Sequence, residues 1–399
     1  MKELSKIILS VWLFGFSNIS CSQQNADYLE QGNRAMDDSN FRKAVELYSQ
    51  YIDSNPNDTI VYFNRGLAYS KSKSFDSSIL DYSKYIQIMP NDPNAYYNRG
   101  IVYSSLEQYD NAISDYSNTI RLNPDSFKGY KMRGDSYYSI KNYNAAVSDL
   151  LKAIQINAQF TEAYLLLGLV YRDLKKFDES ISVFSKAIET DSNYAVAYLY
   201  RGIGYSDLKK SQESIADFSK AILLRPDYDL AFNKRGIEFL IVEKYDNALS
   251  DFTKAIQIDS NYALAYYNRG SALRNLNKFT EAILDYSKSS ELDQNLSPMS
   301  YGSIGYCFLE LDDNSSAEKN FKKSLNVDST RFDAMIGMSI VYFNLKKYEE
   351  SRLWMSKAIQ MEPRLLEGNQ GIEKLIEDGI SFNKKKITSI KEILQLINK

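Results

Sequence analysis

The sequence predicts an all-α chain, an α-α superhelical solenoid of about ten helix-turn-helix repeats with a C-terminal capping helix pair. Three observations predict it. Eight glycines recur 34 residues apart: Gly32, Gly66, Gly100, Gly134, Gly168, Gly202, Gly236 and Gly270. Aromatic and small residues recur around each glycine at helical spacing, and proline returns at one phase of the period. A strict period of this length means one small unit copied along the chain, each copy burying its apolar face against the next.

The first helix of each copy carries the glycine. An aromatic stands four residues before it, as in Tyr62, Tyr96, Tyr198 and Phe232, and another three after it in most copies, as in Tyr69, Tyr103 and Phe239. Offsets of four back, one back, zero and three ahead share one helical face. A glycine in a helix costs roughly 1 kcal/mol relative to alanine. Eightfold use of it argues that a neighbouring helix approaches too closely for a side chain.

The second helix opens nine residues past the glycine, at Phe41, Phe75, Tyr109, Tyr143, Phe177, Tyr245 and Phe279. A small residue follows at offset 12 (Ala44, Ser78, Ala112, Ala146) and a large one at offset 16 (Tyr48, Tyr82, Tyr116, Leu150). Large against small at helical spacing lets two helices interlock. Pro56, Pro90, Pro124 and Pro226 end second helices, since proline lacks the N–H and clashes with the preceding turn. Asp92-Pro93 reads as the next start, an N-cap followed by proline at the first helical position.

These residues resemble the tetratricopeptide repeat, a helix-turn-helix unit with the same order of aromatic, Gly, Tyr, Ala, aromatic and Pro. Copies start near Asn25, Thr59, Pro93, Phe127, Thr161, Ala195, Asp229, Ala263, Pro298 and Phe332. Residues 25–296 form eight regular copies and 297–365 two degenerate ones. Gly305 falls 35 residues after Gly270, so one residue is inserted around Leu296–Pro298, and Ser339 replaces the glycine of the tenth copy. Residues 366–399 read as a helical cap, with Ile387, Ile390, Leu394 and Ile397 on one face.

One pairing tests the arrangement from within. Arginine precedes the glycine at Arg65, Arg99, Arg133, Arg201, Arg235 and Arg269, and the same six copies carry Asp81, Asp115, Asp149, Asp217, Asp251 and Asp285. The other copies lack both charges, as Leu167 goes with Val183. Pairing between copies would break at Asp149, whose next-copy counterpart is Leu167. The ion pairs therefore join the first helix to the second within a repeat, a structural role in preference to an anion ladder.

Residues 1–22 precede the repeats and read as a signal peptide. Lys2 and Lys6 flank a short apolar run, Ile7 to Phe16, shorter than the ~20 apolar residues that span a bilayer. Asn-Ile-Ser-Cys before residue 22 resembles a loose lipoprotein box, with Cys21 as the lipidated residue and the chain tethered by acyl groups. Asn18 stands where the box usually has leucine, and cleavage after Ser22 is the competing reading. The expected location is the cell envelope, as a membrane-anchored protein facing the periplasm or surface, with a soluble exported form as the alternative. The only other cysteine is Cys307, so no disulfide is expected.

A net charge of −3, mixed along the chain, gives no electrostatic case for nucleic acid. The Lys384–Lys386 run reads as a solvated face. There is no histidine, which removes Ser–His and Cys–His nucleophilic pairs and histidine metal sites. No clustered glycines form a phosphate loop. No enzyme, cofactor, metal or small-molecule substrate is expected.

The first-helix face turned away from the second helix is where a partner would lie. In the family it resembles, that face lines a concave groove, and asparagine two before the glycine commonly bonds the backbone of an extended peptide. The matching residues are Asn64, Asn98 and Asn268. An amide both donates and accepts, so it can read a peptide without regard to its sequence. In copies five to seven the lining turns apolar, with Leu166, Leu169, Tyr200, Ile203, Ile237 and Ile241. This suits a hydrophobic segment or amphipathic helix, unless these side chains merely pack against neighbouring first helices. The expected function is a non-enzymatic scaffold for protein or peptide segments; the alternative is a component of an envelope secretion, polysaccharide-export or outer-membrane assembly complex.

Overall fold

A computed structural model describes residues 27–367, 369–377 and 384–397. The signal segment, Cys21 and the side chains of Lys384–Lys386 and Ile397 lie outside the described residues. The chain divides into two compact units between Ser192 and Asn193. Among the described residues all regular structure is helical.

The first unit holds ten helices: α1 (27–37), α2 (Phe41–Ser54), α3 (Thr59–Lys71), α4 (Phe75–Ile88), α5 (Pro93–Ser105), α6 (Tyr109–Leu122), α7 (Phe127–Ser139), α8 (Tyr143–Ile156), α9 (Thr161–Asp173) and α10 (Phe177–Thr190). The second unit continues with α11 (Ala195–Asp207), α12 (Ser211–Leu224), α13 (Asp229–Ile241), α14 (Tyr245–Ile258), α15 (Ala263–Asn275), α16 (Phe279–Leu292), α17 (Ser297–Glu310), α18 (Asn314–Val327), α19 (Phe332–Asn344), α20 (Tyr348–Met361), α21 (Asn369–Glu377) and α22 (Lys384–Ile397). From α2 to α10 in the first unit and from α11 to α20 in the second, consecutive helices pack on one another. This is the stacking a solenoid of helical hairpins requires.

The helix starts follow the residues that predict them. Pro93 opens α5, and the Asp92 side chain accepts from the Asn94 N–H at 2.9 Å. Asn142 caps α8 in the same manner, accepting from Ala145. Each turn inside a hairpin then places one non-glycine residue in the left-handed region. Ser39, Lys73, Glu107, Lys141, Lys175, Lys209, Glu243, Asn277, Asp312 and Lys346 all have φ between 57° and 61°. The Ser74 N–H reaches back to the Tyr69 carbonyl at 2.8 Å and closes the end of α3.

The glycine's purpose is visible in what a Cβ would meet. At Gly168 it would stand 2.4 Å from the Phe184 ring, and at Gly202 2.8 Å from Phe218. Both rings are buried, and each is the large residue at offset 16. The contact is close enough that serine at offset 12 donates to the glycine carbonyl, as Ser78 does to Gly66 at 2.7 Å and Ser214 to Gly202 at 2.9 Å. In the tenth copy Ser339 fits because its own hydroxyl donates to the Ser351 carbonyl at 2.8 Å and Met355, a flexible side chain, fills the large position.

Departures come where the period slips. The residue inserted after α16 is taken up by a 3-10 turn, Gln294–Leu296, and α17 begins at Ser297. At the C-terminus α22 packs across α19 and α20, burying Ile390, Ile393 and Leu394 with Met335, Ile336 and Met355. Ile387 is partly buried against the same cluster, and Ile393 is an anchor the sequence reading left out.

Candidate binding face

All six arginine–aspartate pairs form within a repeat. Arg65 Nε lies 2.7 Å and Nη2 2.8 Å from the two Asp81 oxygens. The same two-pronged contact recurs at Arg99–Asp115, Arg133–Asp149, Arg201–Asp217, Arg235–Asp251 and Arg269–Asp285. The six aspartates are buried, and the arginines nearly so. Hydrogen bonding to Asp81 raises the Arg65 pKa, so burial leaves the guanidinium charged.

Two further contacts hold these arginines, and the sequence reading found neither. The third nitrogen donates backward to a serine on the preceding second helix, from Arg65 to Ser49 at 3.0 Å, Arg99 to Ser83 at 2.8 Å, Arg133 to Ser117 at 3.0 Å and Arg235 to Ser219 at 2.9 Å. The aromatics before and after the glycine flank the guanidinium, as Tyr62 and Tyr69 do at 5.7 Å from Arg65. Each such arginine therefore joins its own hairpin to the one before it. The recurrent serine at offset 17 was the available signal. These arginines are committed to structure; the sequence reading places a partner on the outward face of the first helices instead.

On that face in the first unit, Asn64 and Asn98 are half-buried. Asn98 donates its amide N–H to the Asn94 carbonyl at 2.9 Å, and Asn64 makes no side-chain hydrogen bond among the described residues. Both amide oxygens can accept from a backbone N–H. Leu169 is half-buried. Leu166, expected to line the groove, is 8% exposed and belongs to the core with Leu150, Ala153 and Leu167. Side chains on this face lie in the trough between adjacent first helices, where a leucine is covered by its neighbours.

In the second unit Tyr200 is half-buried, and Ile203 packs against Leu199, Phe218, Tyr228 and Ala231. Ile237 packs toward Ala248, Phe252 and Ala272, the last on the next first helix. Ile241 is 62% exposed, the open end of this apolar group. Asn268 donates to the Asn233 amide oxygen at 3.0 Å, and Asn233 in turn donates to the Tyr262 hydroxyl. Asn268 is therefore held in place through its amide N–H. No cluster of metal-ligating side chains occurs among the described residues, and none of their helices is long and apolar enough to cross a membrane.

Comparison with known proteins gives a consistent result. Family models described as tetratricopeptide repeat match residues 29–95, 93–126, 161–194, 263–296 and 332–365, and one described as TPR repeat matches 134–173 and 238–276. No curated protein matches the sequence. Among solved structures, a tetratricopeptide repeat protein from Parabacteroides merdae is 20% identical over 63% of this chain and 99% of its own, with a TM-score of 0.51. The C-terminal part of a repeat-containing protein from Cytophaga hutchinsonii is 16% identical over 60% of this chain and 98% of its own, with a TM-score of 0.52. YrrB, described as a TPR protein with an unusual peptide-binding site, is 26% identical over 47% of this chain and 97% of its own, at a TM-score of 0.40. With family models matching helical hairpins over more than half of its length, the chain belongs to the tetratricopeptide-repeat family.

Proposed function

We propose that the chain is a non-enzymatic scaffold that holds polypeptide segments on the outward face of its first helices. The observation that carries this reading is the half-buried Asn64 and Asn98, whose amide oxygens are left to accept, on helices locked in place by the arginine forks. An extended segment laid there would donate its backbone N–H groups to those oxygens without regard to side chains. In the second unit the exposed Ile241 would add an apolar contact. Export, with Cys21 carrying a lipid tether, is part of the proposal and rests on the leader-like sequence of residues 1–22. A place in an envelope secretion, polysaccharide-export or outer-membrane assembly complex is the alternative biological setting.

Site-specific photo-crosslinking in the producing cell tests the reading. Crosslinkers at Asn64 and Ile241 should capture a shared set of partners. Crosslinkers at Leu80 and Leu284, exposed on second helices at 70% and 67%, should not. Capture of the same proteins from both sets of positions would remove the first-helix face as the docking site.

A further inference from the structure

Two kinds of polar bond tie neighbouring hairpins together, and they divide the steps along each unit between them. The first kind runs from an arginine to a serine on the preceding second helix. It is made at Arg65–Ser49, Arg99–Ser83 and Arg133–Ser117 in the first unit and at Arg235–Ser219 in the second. Three steps have no arginine to make it, because Leu167, Ile304 and Met338 stand in that column. A fourth has Arg269 forked onto Asp285 with Thr253 in the serine column, and no hydrogen bond joins Arg269 to Thr253.

Each of those four steps carries the second kind, made directly between successive first helices. Tyr138 on α7 donates to Asp173 on α9 at 2.7 Å, and Asn268 on α15 donates to Asn233 on α13 at 3.0 Å. The hydroxyls of Tyr267 on α15 and Ser303 on α17 lie 3.2 Å apart, and Tyr306 on α17 donates to the Asp333 carbonyl on α19 at 2.6 Å. The step from α11 to α13 carries both kinds, since Ser206 also donates to the buried Glu238. Glu238 is the one carboxyl in a column that holds Ala68, Val102, Val170 and Ala272 in other copies. From α3 to α5 and from α5 to α7, by contrast, no side-chain hydrogen bond or ion pair is made among the described residues.

The two kinds act at different places on a hairpin. Each first helix packs along the second helix before it and touches the previous first helix far less. An arginine–serine bond therefore lies near the axis about which one hairpin would rock on the last. A long side chain bonded to a rotating hydroxyl follows such a motion without breaking. A bond between first helices lies across the edges that would part. We infer that the bonds between first helices are locks on their spacing. They hold α11, α13, α15, α17 and α19 at fixed intervals, and their absence leaves α3, α5 and α7 able to spread and close. These three helices are then the part of the chain that adapts its outward face. The inference needs no bound partner and stands apart from the scaffold reading.

Double electron–electron resonance on the full chain tests it, with spin labels carried by non-canonical residues at matched positions. Lys71 on α3 with Ser139 on α7 spans two steps without locks, and Asp207 on α11 with Asn275 on α15 spans two with them; all four positions are exposed. The distance distribution of the first pair should be broader than that of the second. Glu238→Ala with Asn268→Ala removes both locks, alanine at position 238 being the residue of that column at Ala68 and Ala272. It should broaden the second pair toward the width of the first. Ser83→Ala with Ser117→Ala cuts two arginine–serine bonds and should leave the first pair unchanged. Circular dichroism melts confirm folding, and if the lock-free double variant fails to fold, Asn268→Ala alone carries the same comparison. Equal widths for the two pairs in the unaltered chain, or a second pair that stays narrow without its locks, overturns the inference. Broadening of the first pair by the serine changes overturns it too, by placing control of the spacing in the arginines.

Discussion

At the scale of the residue, the recurring arginine is the most constrained side chain of the repeats. Its fork on the aspartate, its bond to the serine behind and the rings beside it are all consequences of placing a charge in a seam between helices. Such a charge is stable only when paired, so removing one partner should cost far more than replacing both. Arg235→Ala should destabilise the chain by about 3–5 kcal/mol, leaving Asp251 buried without a counter-charge. Arg235→Leu with Asp251→Val should cost much less, because Leu167 and Val183 already fill the same two positions. Urea melts of the single and double variants decide this, and equal losses would refute it. The pair was legible in the sequence because its presence and absence are correlated across copies. The serine was not read, since a lone hydroxyl column has many ordinary uses. Leu166 was misplaced for a related reason: periodicity gives the direction of a side chain, but not the reach of its neighbours.

At the scale of the element, the distance between the helices of one hairpin is set by glycine against a ring. Adding a methyl group at Gly168 forces the buried Phe184 to move, because the new atom would stand 2.4 Å from it. The gain in helix propensity, about 1 kcal/mol, is smaller than an overpacking cost of roughly 1–3 kcal/mol. Gly168→Ala should therefore lower the melting temperature. Gly134 faces Leu150, whose nearest atom is 3.1 Å away and whose side chain can turn. Gly134→Ala should be close to neutral by the same thermal melt, and matching losses at the two sites would count against the ring as the cause. Helix starts and ends were legible because opening aromatics recur in most copies and prolines and caps in several. The inserted residue after α16 was legible, but not the 3-10 turn, Gln294–Leu296, that absorbs it.

At the scale of the whole molecule, buried tyrosines recur through the core, and this sets an alkaline limit. Burial and then Asp37 push Tyr48 up to about 12. Burial followed by hydrogen bonding does the same at Tyr85 through Asp92, and at Tyr138 through Asp173. Burial raises Tyr82, Tyr116 and Tyr286 further. These groups hold their protons more tightly when folded than the unfolded value of about 10. Their contribution is therefore intact below about pH 10 and is lost as pH rises toward the folded values. Phenolate absorbance and helical circular dichroism should change together in a steep step above pH 10. Ionisation of the full tyrosine complement while the helices persist would show that these rings are accessible.

The ten left-handed turn residues carry a consequence for how the protein is made. Lysine, glutamate, serine, asparagine and aspartate all occupy a conformation that costs an L-residue about 1–2 kcal/mol, so the turn is imposed by the seam it closes and not by the residue in it. A single hairpin emerging during synthesis has only the local hydrogen bonds that close its first helix to hold the bend. Its bend becomes secure when the neighbouring hairpin arrives to cover the seam, which makes folding a process that advances one repeat behind the growing end of the chain.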